Sequence, residues 1–252
     1  MHNPTLRVLE VFNALYESDA GLSLTEIAHI TKIPKGTLHP IIATLLQTQH
    51  LQSIDNKLYI GKSAFQIGNA YLKNFNHLDL IKNMMNQIAL ECDEICQLGI
   101  LDGAEVLYIA KVDTPQTIRL TSSVGRTLRA YATAIGRALL AYKSNDEIKE
   151  LYKDGLVAYT QDTTKTIDEL IQKLNIIRRT KISHEIAETN PDIECVAVAL
   201  ESGGVGFAAI SVSIPLYRSN RKKLDLIKHL LLQKKAVIED KMTAAGIRLV
   251  HF

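Results

Sequence analysis

The stretch IPKGTLHPIIATLLQ, residues 33–47, carries a helical pattern together with a residue that helix interiors reject. Leu38, Ile41, Ile42 and Leu45 recur at the spacing that lines one face of a helix. Pro40 stands among them, and an interior proline removes an i to i−4 hydrogen bond at a cost of about 3 kcal/mol. Two geometries accommodate it. A helix begun at Lys35 keeps Pro40 inside, leaves the Gly36 carbonyl without its amide partner and distorts the first turn. A helix begun late, with His39 as its cap, puts Pro40 at the first helical position, where the missing N–H costs nothing.

Upstream, residues 5–16 place Val8, Val11, Phe12 and Leu15 on one side of a short amphipathic helix that Gly21 follows. In LSLTEIAHI, Ser23 and Glu26 stand three apart as a capping box, so a second helix starts near Leu24. TKIP makes a tight turn into the third helix, and TQHLQSIDNKLYI sets Asp55 and Asn56 between two short apolar strands, a hairpin signal. This order is that of a winged helix-turn-helix. In such a unit the second helix of the motif enters the major groove and presents its early outward residues to base edges or phosphates. Burial of the apolar set turns Lys35, Thr37, His39, Thr44 and Gln47 outward to varying degrees, each with a hydrogen-bond donor, and Asn56 and Lys57 approach phosphate from the hairpin tip. The competing reading is a solvated or protein-binding helical surface.

The chain has 252 residues, 46% apolar and 22% charged, which suits one large or two modest packed domains. A formal net charge of +2 does not announce nucleic-acid binding. Residues 1–73 carry six Lys or Arg against five Asp or Glu, so a DNA surface has to arise from local arrangement. No run approaches the ~20 apolar residues that span a bilayer, and no signal peptide is visible, so a cytoplasmic protein without membrane partners is expected. Cys92 and Cys96 are spaced as helical neighbours, and with Cys195 they are expected to be reduced and buried.

Residues 62–80 read as a helix, polar on one side, that links two domains. Beyond it come ICQLGIL, the Asp102-Gly103 turn, EVLYIAKV and TIRLTSSV, then later ECVAVALE, the Gly203-Gly204 turn and VGFAAISVSIP. Helices are expected over 130–142, 146–153, 167–180 and 218–244. In the last of these Leu224, Ile227, Leu230, Leu231, Val237 and Ile238 form the face that covers a sheet, and the basic side is solvated. Two hairpins with flanking helices imply an α+β domain with an antiparallel sheet. The expected organisation is a winged helix over 1–61, a linker helix over 62–80 and an effector-binding and oligomerisation domain over 81–252.

Taken together these segments resemble the IclR family of bacterial transcription regulators over essentially the whole chain. The likeness rests on TLRVLEVFNAL, on LSLTEIAHITKIPKGTLHPIIATLLQTQHL, on KLYIGKSAFQIGNAYL, and above all on SSVGRTLRAYATAIGRALLAY followed by IECVAVALESGGVGFAAISVSIP. The resemblance implies a winged helix-turn-helix joined to a GAF/profilin-like ligand-binding domain, assembled as a homodimer or homotetramer. It further implies a repressor whose grip on a double-stranded DNA operator responds to a small-molecule effector, with no cofactor. It favours a helix already begun by Lys35. The family usually carries arginine at the position of Pro40, so the operator preference of this chain is expected to differ from that of its relatives.

By the same resemblance Thr133, Ala134 and Ile135 match the family's effector-contacting segment, Glu185 its acidic ligand contact and Cys195 its pocket cysteine. The start of a helix at Thr133 favours an anion, and Ser211 and Ser213 alternate along the last strand and so share one face. A small polar cup results, suited to a compact metabolite such as a carboxylate. Glu185 would repel an anion unless the ligand presents a hydroxyl or the carboxyl is protonated. Each residue also has a plainer reading: Cys195 as a small buried hydrophobe, the two serines bonded within their strand, Glu185 as a solvated loop carboxylate. Arg129 and Tyr131 replace the family's proline and histidine and are expected to narrow or reshape the pocket. Cys195 with His184 is the only nucleophile and base pairing on offer, no phosphate loop, nucleophile elbow or metal helix is present, and Cys92, Cys96 and His184 lack further metal ligands. No enzyme and no metal site is expected.

Overall fold

In the computed structural model, which describes residues 2–72, 77–115 and 123–245, compact units divide between Asn76 and His77. The first holds α1 (Asn3–Tyr16), α2 (Leu24–Thr31), α3 (Lys35–Gln47), the hairpin β1 (Leu51–Ile54) and β2 (Lys57–Ile60), and α4 (Lys62–Leu72). Ser23 starts α2 as its sequence requires: its hydroxyl accepts the Glu26 N–H at 3.2 Å while the Glu26 carboxylate accepts the Ser23 N–H at 2.7 Å. Two otherwise orphaned amides are satisfied. Asp55 and Asn56 take φ of 49° and 61°, the pair of left-handed residues that a two-residue hairpin needs to match strand twist. Ile27, Leu38, Ile42, Leu51 and Leu58 pack with Val11 beneath this hairpin. Leu38 is fully buried, so its truncation to alanine would cost about 2–5 kcal/mol.

The two geometries for Pro40 are now separated. α3 begins at Lys35 and runs through Pro40, and the Pro34 carbonyl accepts the N–H groups of Thr37 at 2.9 Å and Leu38 at 3.1 Å. His39 is therefore inside the helix and caps nothing. Gly36 and Pro40 are both exposed, so water reaches the side of the helix where the Gly36 carbonyl lacks its amide. Thr44 donates its hydroxyl proton to the Pro40 carbonyl at 2.8 Å.

The second unit contains α5 (Leu78–Cys92), β3 (Ile95–Asp102), β4 (Glu105–Val112), β5 (Thr127–Arg129), α6 (Ala134–Leu140), α7 (Asn145–Leu151), α8 (Ile167–Thr180), β6 (Ser183–Ile186), β7 (Ile193–Ser202), β8 (Val205–Pro215) and α9 (Arg221–Ala244). Its strands form one antiparallel sheet in the order β5-β4-β3-β8-β7-β6. The long strand pairs β3-β4 and β7-β8 are the two hairpins legible in the sequence. Cys195, Ala197, Ala199 and Ala209 pack with Ala134, Ile135 and Ala138 of α6. Strand alternation sends Val196, Val198, Ile210 and Val212 to the opposite face, and α9 packs on β7 and on α5 with Ile227, Leu230, Leu231 and Ile238 buried.

Several expectations give way here. The element expected over 130–142 opens as a 3-10 turn, Ala130–Ala132, and becomes α-helical only at Ala134, because Thr133 is extended and caps α6. Cys92 ends α5 whereas Cys96 lies in β3, with Asp93 left-handed between them, so their spacing is not helical; both thiols are buried and free. Of the span 62–80, the described residues hold α4 (Lys62–Leu72) and the first turn of α5, which starts at Leu78 within the second unit. Of TIRLTSSV only Ser123 and Val124 lie within the described residues, outside any strand. α9 begins at Arg221 because Asn220 caps it, its side chain accepting the Lys223 N–H at 3.0 Å.

Two substitutions test these contacts. Pro40→Ala returns the missing amide to Gly36 and should stabilise α3 by about 1–3 kcal/mol, seen as slower hydrogen exchange in that helix; unchanged exchange would show that the proline costs nothing here. A Cβ at Gly136 would collide with the backbone of Ala130, which cannot yield as a side chain does. Gly136→Ala should therefore lower the stability of the second unit by at least about 1–3 kcal/mol, and an unshifted thermal midpoint would contradict that packing.

Candidate functional site

On α3, Leu38, Ile42 and Leu45 point inward. At 100° per residue the line opposite them runs through Gly36, Pro40, Ala43 and Gln47, all exposed. Lys35 and His39 are exposed on one flank, and half-buried Thr37 and exposed Thr44 lie on the other. Thr44 is corrected as a donor: its proton is committed to Pro40, so only acceptor lone pairs face outward. Asn56 stands exposed at the hairpin tip and Lys57 is half-buried at the start of β2.

In the second unit, register assembles residues that the chain keeps far apart. Glu185 pairs with Cys195, and Cys195 with Ser213. One step along, Ser183 pairs with Ala197, Ala197 with Ser211, and Ser211 with Gln97. Paired residues share a face, so two polar rows cross the sheet on the side covered by α6. Glu185 is 2% exposed, Ser211 3% and Ser213 1%. Ser213 donates to Gln97 Oε1 at 3.3 Å, and Cys195 Sγ lies 3.3 Å from the Ser213 hydroxyl. From β4 the buried Tyr108 joins the group; burial drives its phenol far above the usual range, and Cys195 and Glu185 add to the shift. Gln97, Tyr108 and Ser183 escape the sequence reading. Their only trace is a polar residue inside an apolar strand, which takes on meaning once cross-strand partners are known.

Thr133 caps α6 by accepting the Gly136 N–H at 3.0 Å, and Ala134 and Ile135 are each 1% exposed at the first helical positions. α6 has only seven residues, so the pull of its dipole on an anion is weaker than that of a full-length helix. Glu185, one alternative for which was a solvated loop, is instead buried in β6.

A buried ion pair fixes this arrangement. Arg137 of α6, 1% exposed, pairs with the Glu188 carboxylate and donates to the Tyr131 carbonyl at 2.7 Å and the Thr164 hydroxyl at 2.8 Å. Glu188 also receives the Thr164 N–H at 2.8 Å and the Lys173 ammonium at 2.9 Å, and its own N–H donates to Glu185 Oε2 at 3.1 Å. Burial raises the Glu188 pKa, but the bonds from Arg137 and Lys173 outweigh it and hold the carboxyl below the ordinary range. For Glu185 burial prevails: its pKa rises to about 7 despite the Glu188 N–H and the nearby Arg137 charge. Near neutral pH the two glutamates therefore carry different protonation states.

The remaining sequence candidates resolve by geometry. Burial and the Glu185 charge push the Cys195 thiol well above its normal range, so it is not a thiolate. His184 pairs with Val196 in the register, which turns it to the other face of the sheet from Cys195, and its ring meets Glu194 at 2.9 Å. The nucleophile and base are not assembled. Tyr131 donates to the Val157 carbonyl at 2.6 Å and accepts the Val157 N–H at 2.8 Å, while Arg129 lies 3.6 Å from Glu105. Tyr131 packs in the same buried cluster as Tyr108 and Cys195.

Among the described residues no helix is long and apolar enough to cross a membrane. Residues 5–53 match the IclR helix-turn-helix domain and residues 69–238 match the bacterial transcriptional regulator IclR C-terminal domain. The chain is 28% identical over 228 residues to the HTH-type transcriptional regulator KdgR of Escherichia coli strain K12, covering 87% of this chain and 84% of that one. It is 28% identical over 218 residues to the transcriptional repressor IclR of the same organism, covering 84% and 80%. The crystal structure of an IclR homolog from Microbacterium hydrocarbonoxydans, complexed with 4-hydroxybenzoate, superposes with a TM-score of 0.85 at 19% identity, over 96% of this chain and 99% of that one. The winged reading head, the sheet of two long hairpins and both domain matches place the chain in the IclR family of DNA-binding transcriptional regulators with an effector-binding C-terminal domain, a family of regulators and not of enzymes.

Proposed function

We propose that the chain is a cytoplasmic repressor, assembled as a homodimer or homotetramer, whose operator binding responds to a small carboxylate held between α6 and the sheet. The observation that carries this reading is the convergence of buried Thr133, Glu185, Ser211 and Ser213, with Gln97 and Tyr108, around a part-buried Cys195. Structural cores hydrogen-bond their polar groups but rarely gather so many in one place. A protonated Glu185 offers a carboxylate ligand a proton to share, and the serine hydroxyls and the backbone of Ala134 and Ile135 surround it. The 4-hydroxybenzoate bound by a homologue of the same fold is a carboxylate, and a relative of similar length is a repressor. On the DNA side, Lys35, Thr37 and His39 of α3 with Asn56 and Lys57 of the wing supply the donors to phosphates and base edges, and Thr44 supplies an acceptor.

Two measurements address the two halves. In gel-shift titrations against the chain's own promoter region, affinity should fall steeply with salt, and Lys35→Ala or Lys57→Ala should reduce the slope of log K against log [salt] by about 1 for each phosphate no longer neutralised. An identical slope in both variants would remove those lysines from the interface. For the effector, calorimetry with 4-hydroxybenzoate and with short aliphatic carboxylates should show binding strongest below pH 7. With Glu185 titrating at about 7, its neutral form dominates on the acid side; as pH rises through 7 the ionised form repels the ligand and affinity drops by up to about tenfold per pH unit. Glu185→Gln should bind without that dependence. A wild-type profile flat from pH 6 to 8 would sink the protonated-glutamate account.

A further inference from the structure

We propose that Pro40 is a specificity-determining residue of the DNA interface, reading the 5-methyl group of thymine in the major groove with Ala43 beside it. The proposal rests on α3 being the helix that meets the groove. The middle of the outward line of α3 is apolar: Pro40 and Ala43 are exposed, Gly36 has open space where a Cβ would be, and the nearest amide side chain is Gln47 in the last turn. The donors of this helix flank that line, Lys35 and His39 on one side and half-buried Thr37 on the other, placed for a groove wall or a flanking base. On the other side Thr44 has turned its hydroxyl proton back onto the Pro40 carbonyl at 2.8 Å, so it cannot donate outward.

Where a helix presents hydrogen-bonding side chains to the groove, it reads the donor and acceptor pattern of base edges; where it presents carbon, the one complementary feature of that groove is the methyl group of thymine. A pyrrolidine ring suits this role. It is held by its own bond to the backbone and loses no rotamer freedom on docking, and the open Gly36 lets the helix approach closely. The same covalent feature that deprives Gly36 of a hydrogen bond therefore puts a rigid apolar surface at the middle of the outward line of α3. The expected site contains thymine opposite the middle of α3 and no guanine reading there.

The test uses the full-length protein and DNA that it selects for itself. Duplexes are enriched from a random library, and the winning sequence is resynthesised with deoxyuridine replacing thymine one position at a time, which removes only the methyl. The proposal expects one or two positions at which affinity falls about fourfold per methyl, with the others unaffected. Pro40→Ser, which replaces the apolar ring with a polar side chain, should abolish the loss at one of those positions while the sensitivity to guanine and cytosine changes elsewhere is kept. Pro40→Arg should shift the enriched sequence towards guanine at that point. An enriched site indifferent to every uracil substitution, or one whose uracil sensitivity is unchanged at every position in Pro40→Ser, would overturn the proposal and leave the DNA-binding assignment standing. A library that enriches no sequence would overturn base reading by α3 altogether, and this inference with it.

Discussion

The buried pairing of Arg137 with Glu188 is the constraint on which the second unit turns. A guanidinium at 1% exposure cannot remain without a counter-charge, because removing one partner from such a pair costs about 3–5 kcal/mol. Arg137 belongs to α6, Glu188 follows β6, and Thr164 and Lys173 come from the approach to α8 and from α8 itself. One charge balance thus ties together a short helix, an edge strand and a covering helix. Seven residues make α6 too short to be stable by itself; it is held by this pair, by the Thr133 cap and by close packing of Gly136 on Ala130.

Function follows from the same balance. The Glu188 amide that donates to Glu185 is part of the loop the ion pair anchors, so the position of the site carboxyl is inherited from a charge pair that need not touch the ligand. Glu185 also feels the Arg137 charge, but burial outweighs it and raises the pKa. A neutral acid beside an ionised one is how a fold can place a hydrogen-bond donor of carboxylic type near neutral pH. The opposite face of the sheet is covered by α5 and α9, while the α6 face carries the polar rows beside an apolar cluster of its own.

The first unit applies a similar economy to the reading helix. Its core is complete without any side chain from the outer line of α3, so that line is open to substitutions that alter DNA preference without unfolding the unit. Pro40 is tolerated because it occupies the solvent side, where water takes over a lost amide, and because the Pro34 carbonyl gathers the first amides of the helix.

Local order determined what could be read directly: the capping box at Ser23, the apolar period of α1 to α3, the Asp55-Asn56 turn and the two long hairpins each depend on residues a few positions apart. The resemblance of SSVGRTLRAYATAIGRALLAY and of the final hairpin then pointed to Thr133, Glu185 and Cys195, and strand alternation to Ser211 and Ser213; the register sets Glu185, Cys195 and Ser213 in one row. What escaped were features defined across the chain. β5 and β6 are too short to show a period; Gln97, Tyr108 and Ser183 matter only through partners on other strands; Thr44 looks like a free donor until its i−4 carbonyl is seen to hold it. The pairing of Arg137 with Glu188 and the unequal ionisation of two neighbouring glutamates were decided by tertiary structure alone, because burial and charge proximity are properties of a packed assembly and have no signature in the spacing of residues along a chain.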